Sequence, residues 1–188
     1  GPYPYRKLAV TEALLPHGEA FQAFLHLGFD TWTRTDKWGN DKLFRAHETA
    51  HQWWGVTVGY ESYHDQWLSE GLAEYSALLY LQASEGREKF LERITEMRDE
   101  IFSNRKYLFG SGTEAGPVAL GYRTASTKTE GDYGLIIYRK GAFVFHMLRN
   151  MMLDLNRFNE DRFFNFLKDY YERFKGGQPN TAGFRKLA

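Results

Sequence analysis

The residues in this chain best equipped for chemistry are His47-Glu48-Thr49-Ala50-His51, with Glu70 further on after eighteen intervening residues. On a helix, positions i and i+4 share a face, so His47 and His51 can turn both imidazoles toward one metal ion. Glu48 lies between them, placed to reach a metal-bound water without ligating the metal. Two neutral nitrogens and one carboxylate, with Glu70 as third ligand, leave a fourth position open for water. That is the catalytic rather than the structural type of zinc site. The chain has no cysteine, which removes thiolate ligands, disulfides and thiol catalysis. One Zn2+ per chain suits a His₂Glu donor set. Glu74 lies one turn beyond Glu70 on the same face, where a carboxylate can take the free N–H of a ligating histidine and fix its tautomer.

The elements expected to position these residues follow from pattern. Tyr5 to Val10 and Phe21 to Leu27 read as strands, with a break at Pro16-His17-Gly18. Residues 31–40 read as a loop. A helix capped by Asp41 should run to about Trp54, then an extended piece from Val56 to Tyr60. A second helix, about Leu68 to Ala83, carries Leu68, Leu72, Tyr75 and Leu79 at helical spacing. A charged amphipathic helix should span about Arg87 to Lys106, and a long irregular loop Phe109 to Gly134. Leu135 to Leu153 reads as a strongly apolar helix. Asn159 should cap another, to about Phe174, and Thr181 should start a last one. His64 and Asp65 read as a surface turn and His146 as a packed core histidine. Neither His17 nor His26 reads as a ligand.

Three segments around these residues carry a family resemblance: His47-Glu48-Thr49-Ala50-His51, then Trp67-Leu68-Ser69-Glu70-Gly71-Leu72-Ala73, then Tyr138-Arg139-Lys140-Gly141-Ala142. In order and spacing they resemble the catalytic domain of the aminopeptidase-N-like gluzincins, the zinc metallopeptidases that include leukotriene A4 hydrolase. The resemblance implies an α+β, mainly helical fold: a thermolysin-like zinc metallopeptidase catalytic domain with a small, truncated N-terminal sheet. Residues 1–188 would form this single domain. Its partners would be a peptide substrate and, elsewhere in the parent chain, an N-terminal β domain and a C-terminal helical domain. The resemblance implies Glu48 as general base on the attacking water and Tyr138 as the hydrogen-bond donor to the oxyanion. Tyr133 is the rival for that role, but it lacks the Lys-Gly-Ala that follows Tyr138.

The chain departs from the family at one place. Most such aminopeptidases carry G-x-M-E-N before the zinc helix, with its Glu binding the substrate's α-amine. Here the nearest segment is Gly18-Glu19-Ala20-Phe21-Gln22-Ala23. Glu19 and Gln22 are the residues left to meet an amine, and an extended peptide can still pair with this segment through its backbone. Hydrolysis of peptide bonds is therefore better supported than restriction to the N-terminus. An endopeptidase, or a non-catalytic scaffold that keeps the fold, stays open. Lys+Arg and Asp+Glu are 24 each, so charge points to no nucleic-acid partner. No apolar run reaches the ~18 residues of a membrane span.

Overall fold

A computed structural model describes residues 2–14, 17–33, 40–103, 116–126 and 132–188, the side chains of 33, 40, 41 and 103 excepted. A three-stranded sheet comes first, from β1 (Ala9–Ala13), β2 (Gly18–Phe21) and β3 (Phe24–Gly28). Their order is β1-β3-β2, with β3 parallel to β1 and antiparallel to β2. Leu25 and Leu27 of β3 are buried and tie the sheet to the rest of the fold. The helices are α1 (Asp30–Thr33), α2 (Asn40–Ala50), α3 (Gln66–Glu85), α4 (Arg87–Ser103), α5 (Gly141–Met151), α6 (Asp161–Phe174) and α7 (Thr181–Leu187). A 3₁₀ segment (Val118–Thr124) and a π-helix (Gly134–Lys140) precede α5. Among the described residues no helix is long and apolar enough to cross a membrane. The chain is thus mainly helical with a small sheet.

The hub is α3. It is apolar on most of its circumference, as a helix must be when it is enclosed, and α2, α4, α5 and the π-helix all pack on it. Where α3 meets the start of α5 the contact is backbone on backbone. A Cβ on Gly71 would stand 2.9 Å from the Gly141 carbonyl carbon, and one on Gly141 would stand 3.2 Å from Gly71 Cα. Glycine inside a helix costs about 1 kcal/mol relative to alanine. Close approach is what that cost permits, and no flexible side-chain tip is there to move aside. Gly71→Ala is therefore expected to destabilise the protein by about 1–3 kcal/mol despite its better helix propensity, as measured by urea denaturation.

Several elements differ from the sequence expectation. Tyr5 to Val10 is not the first strand, which starts at Ala9. Tyr3 instead stacks edge-on against Trp53, and the Tyr5 hydroxyl bonds Thr57 Oγ1 at 2.8 Å, so these aromatics dock on the end of the zinc-site segment. Phe21 to Leu27 is not one strand but a hairpin, turning at Gln22 and Ala23, with Ala23 at φ 59°. Neither residue is a usual turn former, and the turn is held by distant partners described below. Val56 to Tyr60 forms a single bridge, Trp54 to Val58, rather than a strand. The apolar run from Leu135 starts as a π-helix and becomes α-helical only at Gly141. Part of the expected Phe109–Gly134 loop, residues 109–115 and 127–131, lies outside the described residues, as do Gly39 and the side chain of Asp41. Of the remainder, Val118–Thr124 is 3₁₀.

Asp65 is no surface turn residue. It is buried and accepts from Thr181 N at 2.7 Å, Thr181 Oγ1 at 2.8 Å and Ser62 Oγ at 2.8 Å, which bolts the start of α7 to the start of α3. His146 is half-buried, with Nδ1 3.3 Å from the Tyr75 hydroxyl. Beside it Arg149, 4% exposed, donates to Tyr75 and Gln82 and pairs with Glu160, joining α3, α5 and the approach to α6.

Candidate metal centre

The α2 helix ends at Ala50, short of the expected Trp54; it presents His47 and Glu48, His51 follows in the turn that continues it, with its N–H on His47 O at 3.2 Å, and α3 brings Glu70 against them. His47 Nε2 and His51 Nε2 are 3.0 Å apart, and Glu70 Oε2 lies 3.4 and 3.3 Å from them. This is the one group of metal-holding geometry found among the described residues. Each imidazole is fixed from behind through its other nitrogen. His47 Nδ1 lies 3.0 Å from Glu74 Oε2, and His51 Nδ1 lies 2.8 Å from the carbonyl oxygen of Trp54. Both acceptors require Nδ1–H, which leaves an Nε2 lone pair on each ring. Glu70 Oε2 is buried with no partner but these two imidazoles. Three ligand-type atoms thus converge on one point, which is the pattern that a cation completes by displacing the proton they otherwise share. The donor set fits zinc.

The Trp54 carbonyl is held in turn. Ser69, one residue before Glu70, donates to it at 3.1 Å. Gly55 makes that approach feasible. It sits at φ +111°, and a Cβ there would fall 2.4 Å from Ser69 Oγ. Neither Ser69 nor the Trp54 carbonyl was evident as a site group from the sequence; the serine next to a ligating glutamate was the available signal.

Glu48 points out of the same helix, 6% exposed, beneath β2. Gly18 packs on it so closely that a Cβ would come within 2.5 Å of the carboxylate. Burial raises the Glu48 pKa above the ordinary carboxylate value, partly offset by the charge of His47 and His51. Tyr138, on the π-helix, stacks on His47 with ring centroids 5.6 Å apart and planes at 18°. Burial, with the charge of Glu70, raises its pKa well beyond the usual tyrosine range, so the phenol keeps its proton as a donor. Tyr133 packs edge-on against Tyr138 at 5.6 Å, with Tyr122 stacked on Tyr133 at 4.9 Å. Tyr138 is thus the tyrosine in contact with the zinc helix.

Glu19 and Gln22 lie elsewhere. Side chains alternate along a strand, so Glu19 projects from the face of β2 opposite Gly18. There it meets His17 Nε2 at 3.4 Å and His26 Nδ1 at 3.9 Å. Gln22 is exposed in the hairpin turn. Neither joins the ligand group of His47, His51 and Glu70.

The carboxylates set the charge state of the metal-free centre. Burial of His47 opposes protonation, but hydrogen bonds to Glu70 and Glu74 outweigh it and raise its pKa from 6.5 to about 10. Glu70 shifts the other way: burial opposes ionisation, but the two histidines hold its carboxyl well below the usual range. These are two views of one interaction. A group whose pKa rises on folding stabilises fully below its unfolded value and loses that contribution as pH climbs through the folded one. The metal-free protein is therefore expected to lose stability between about pH 6.5 and pH 10. Zinc, which replaces the proton on Nε2, should flatten that loss in denaturant titrations.

Comparison with known proteins gives the chain its relatives. The chain is 30% identical over 132 residues to endoplasmic reticulum aminopeptidase 2 of Bos taurus, a match covering 69% of this chain and 12% of that protein. It is 32% identical over 114 residues to aminopeptidase N of Canis lupus familiaris, covering 58% and 11%. The chain therefore spans about an eighth of the length of the curated relatives it matches. Among solved structures, an M1 zinc metallopeptidase from Deinococcus radiodurans aligns with TM-score 0.71 at 22% identity, over 100% of this chain and 36% of that one. Leukotriene A4 hydrolase from Saccharomyces cerevisiae aligns with TM-score 0.76 at 17% identity, over 99% and 28%. The model of the peptidase family M1 domain matches residues 26–187, and the chain belongs to that family.

Proposed function

We propose that this chain is the catalytic domain of a zinc-dependent peptidase that removes N-terminal residues from peptides. The observation that carries the reading is the convergence of one ligand atom each from His47, His51 and Glu70, beside a buried Glu48. His47, His51 and Glu70 would hold one zinc ion, which polarises a peptide carbonyl and lowers the pKa of water from about 15.7 to near 7. Glu48 takes the proton of the attacking water and delivers it to the leaving amine. The Tyr138 phenol donates to the oxyanion as the carbonyl becomes tetrahedral. Glu74 keeps His47 in the tautomer that offers Nε2. The small sheet beside a helical body, with the metal centre between them, supports a thermolysin-like arrangement. In this reading the rest of the protein supplies a β domain before this one and a helical domain after it.

Curated relatives named as aminopeptidases support cleavage from the N-terminus. The placement of Glu19 away from Glu48 favours a second reading, an endopeptidase on the same centre. Hydrolysis of paired fluorogenic peptides by the full-length protein separates the two. Cleavage of the free peptide but not its N-acetylated twin makes it an aminopeptidase. Equal cleavage of both makes it an endopeptidase, and zinc binding with neither cleaved overturns the peptidase reading.

A further inference from the structure

Gln52, the residue after the second histidine, is a fully buried polar side chain for which the hydrolysis has no use. A buried amide is kept where its hydrogen bonds are made, and those of Gln52 run to the β2–β3 hairpin. Its Oε1 accepts from Ala23 N at 2.9 Å and from the Tyr3 hydroxyl at 3.3 Å. Its Nε2 donates to Phe21 O at 2.8 Å. The two backbone bonds bracket the turn, and the Ala23 carbonyl is taken by Ala9 N at 2.9 Å. One glutamine of the zinc segment thus grips the hairpin on both sides of its bend.

We infer that Gln52 is a positioning residue that holds the edge of β2 at a fixed distance from the metal centre, where an extended peptide backbone pairs with it. This rests on the peptidase reading above. The strand β2 is an edge in the order β1-β3-β2, so among the described residues its outer side carries backbone N–H and C=O groups with no ladder partner. Its two ends are fixed to one segment: the turn end by Gln52, the other by Gly18 lying against Glu48. A four-residue strand held at both ends cannot tilt away from the zinc helix. Strand addition draws its affinity from main-chain hydrogen bonds, so the loss on releasing β2 should grow with the length of peptide paired. Zinc binding itself should not depend on it, because Gln52 touches neither ligating ring nor Glu70.

The test is steady-state kinetics of the full-length, zinc-loaded protein with an aminoacyl-naphthylamide and a series of peptides from two to six residues. Gln52→Met keeps the volume and removes every hydrogen bond; Gln52→Glu keeps an acceptor for Ala23 N and loses the donor to Phe21 O. For Gln52→Met, KM should rise about tenfold for the longest peptides and little for the naphthylamide, with kcat and zinc affinity nearly unchanged, the pattern of lost uniform binding. Gln52→Glu should fall between it and the wild type. A KM that does not rise with peptide length, a parallel loss of zinc, or failure of both variants to fold overturns the inference, since Gln52 would then serve the fold or the metal centre alone. A wild-type protein that binds zinc and cleaves no peptide overturns the peptidase reading instead.

Discussion

Glu48→Gln is expected to bind zinc as the wild type does and to lose peptide hydrolysis by about 10²–10⁴-fold in kcat. The substitution is nearly isosteric, so the tight contact with Gly18 is kept and no cavity opens. Glu48 offers no atom to the converging ligand set, which is formed by His47, His51 and Glu70. What is lost is a base able to accept a proton from water and return it to the amine. The pH profile adds a second signature. Burial raises the Glu48 pKa in the metal-free protein and a bound cation pulls it back, so the acid limb of kcat/KM should follow the balance of the two, with rate falling as Glu48 takes up a proton. That limb should be missing from the residual activity of the variant. A variant that keeps most of the wild-type rate, measured beside unchanged zinc content, would assign the base elsewhere.

Tyr138→Phe is expected to lower kcat by about 10²–10³-fold with little change in KM. The ring stays stacked on His47, so packing and metal binding are kept and only the hydroxyl goes. An interaction made in the transition state and not in the ground state shows itself in this way, in kcat rather than KM. Tyr133→Phe is the matched control. Its ring packs edge-on against Tyr138 and its hydroxyl bonds that of Tyr138, so its loss frees the Tyr138 proton rather than removing it and should cost less. If the two variants lost activity equally, the oxyanion role would belong to the pair. If Tyr133→Phe alone were inactive, the assignment would reverse.

The pairing of His47 with His51 was legible in the sequence because it depends on helical periodicity, and so was the shared face of Glu70 and Glu74. The meeting of the two pairs is tertiary: α3 carries Glu74 to His47 across 27 residues of sequence, and the motif spacing, not periodicity, pointed to Glu70. Tyr138 was not legible that way. Its approach to His47 depends on a π-helix inside an apolar run, where a widened turn changes which side chains face inward without changing composition. The groups that hold His51 were hidden because their partners come from separate segments: Ser69 reaches back to Trp54, fifteen residues away. The hairpin failed for the same reason. Gln22 and Ala23 turn because Gln52 binds the backbone around them, and a window of neighbouring residues contains no trace of that bond. Asp65 looked like a polar turn residue until Thr181 met it.

The crossing of α3 and α5 at Gly71 and Gly141 has a consequence for how this centre tolerates change. Glu70 precedes one glycine and Tyr138 stands three residues before the other, so the separation of an acidic ligand from a phenol donor is gauged by two main chains in contact. The Phe145 ring, 3.1 Å from where a Gly71 Cβ would stand, backs the same crossing. Core residues such as Phe163 and Tyr170 bear on the working distance only through these two chains. Precision here is set at two positions that carry no functional group.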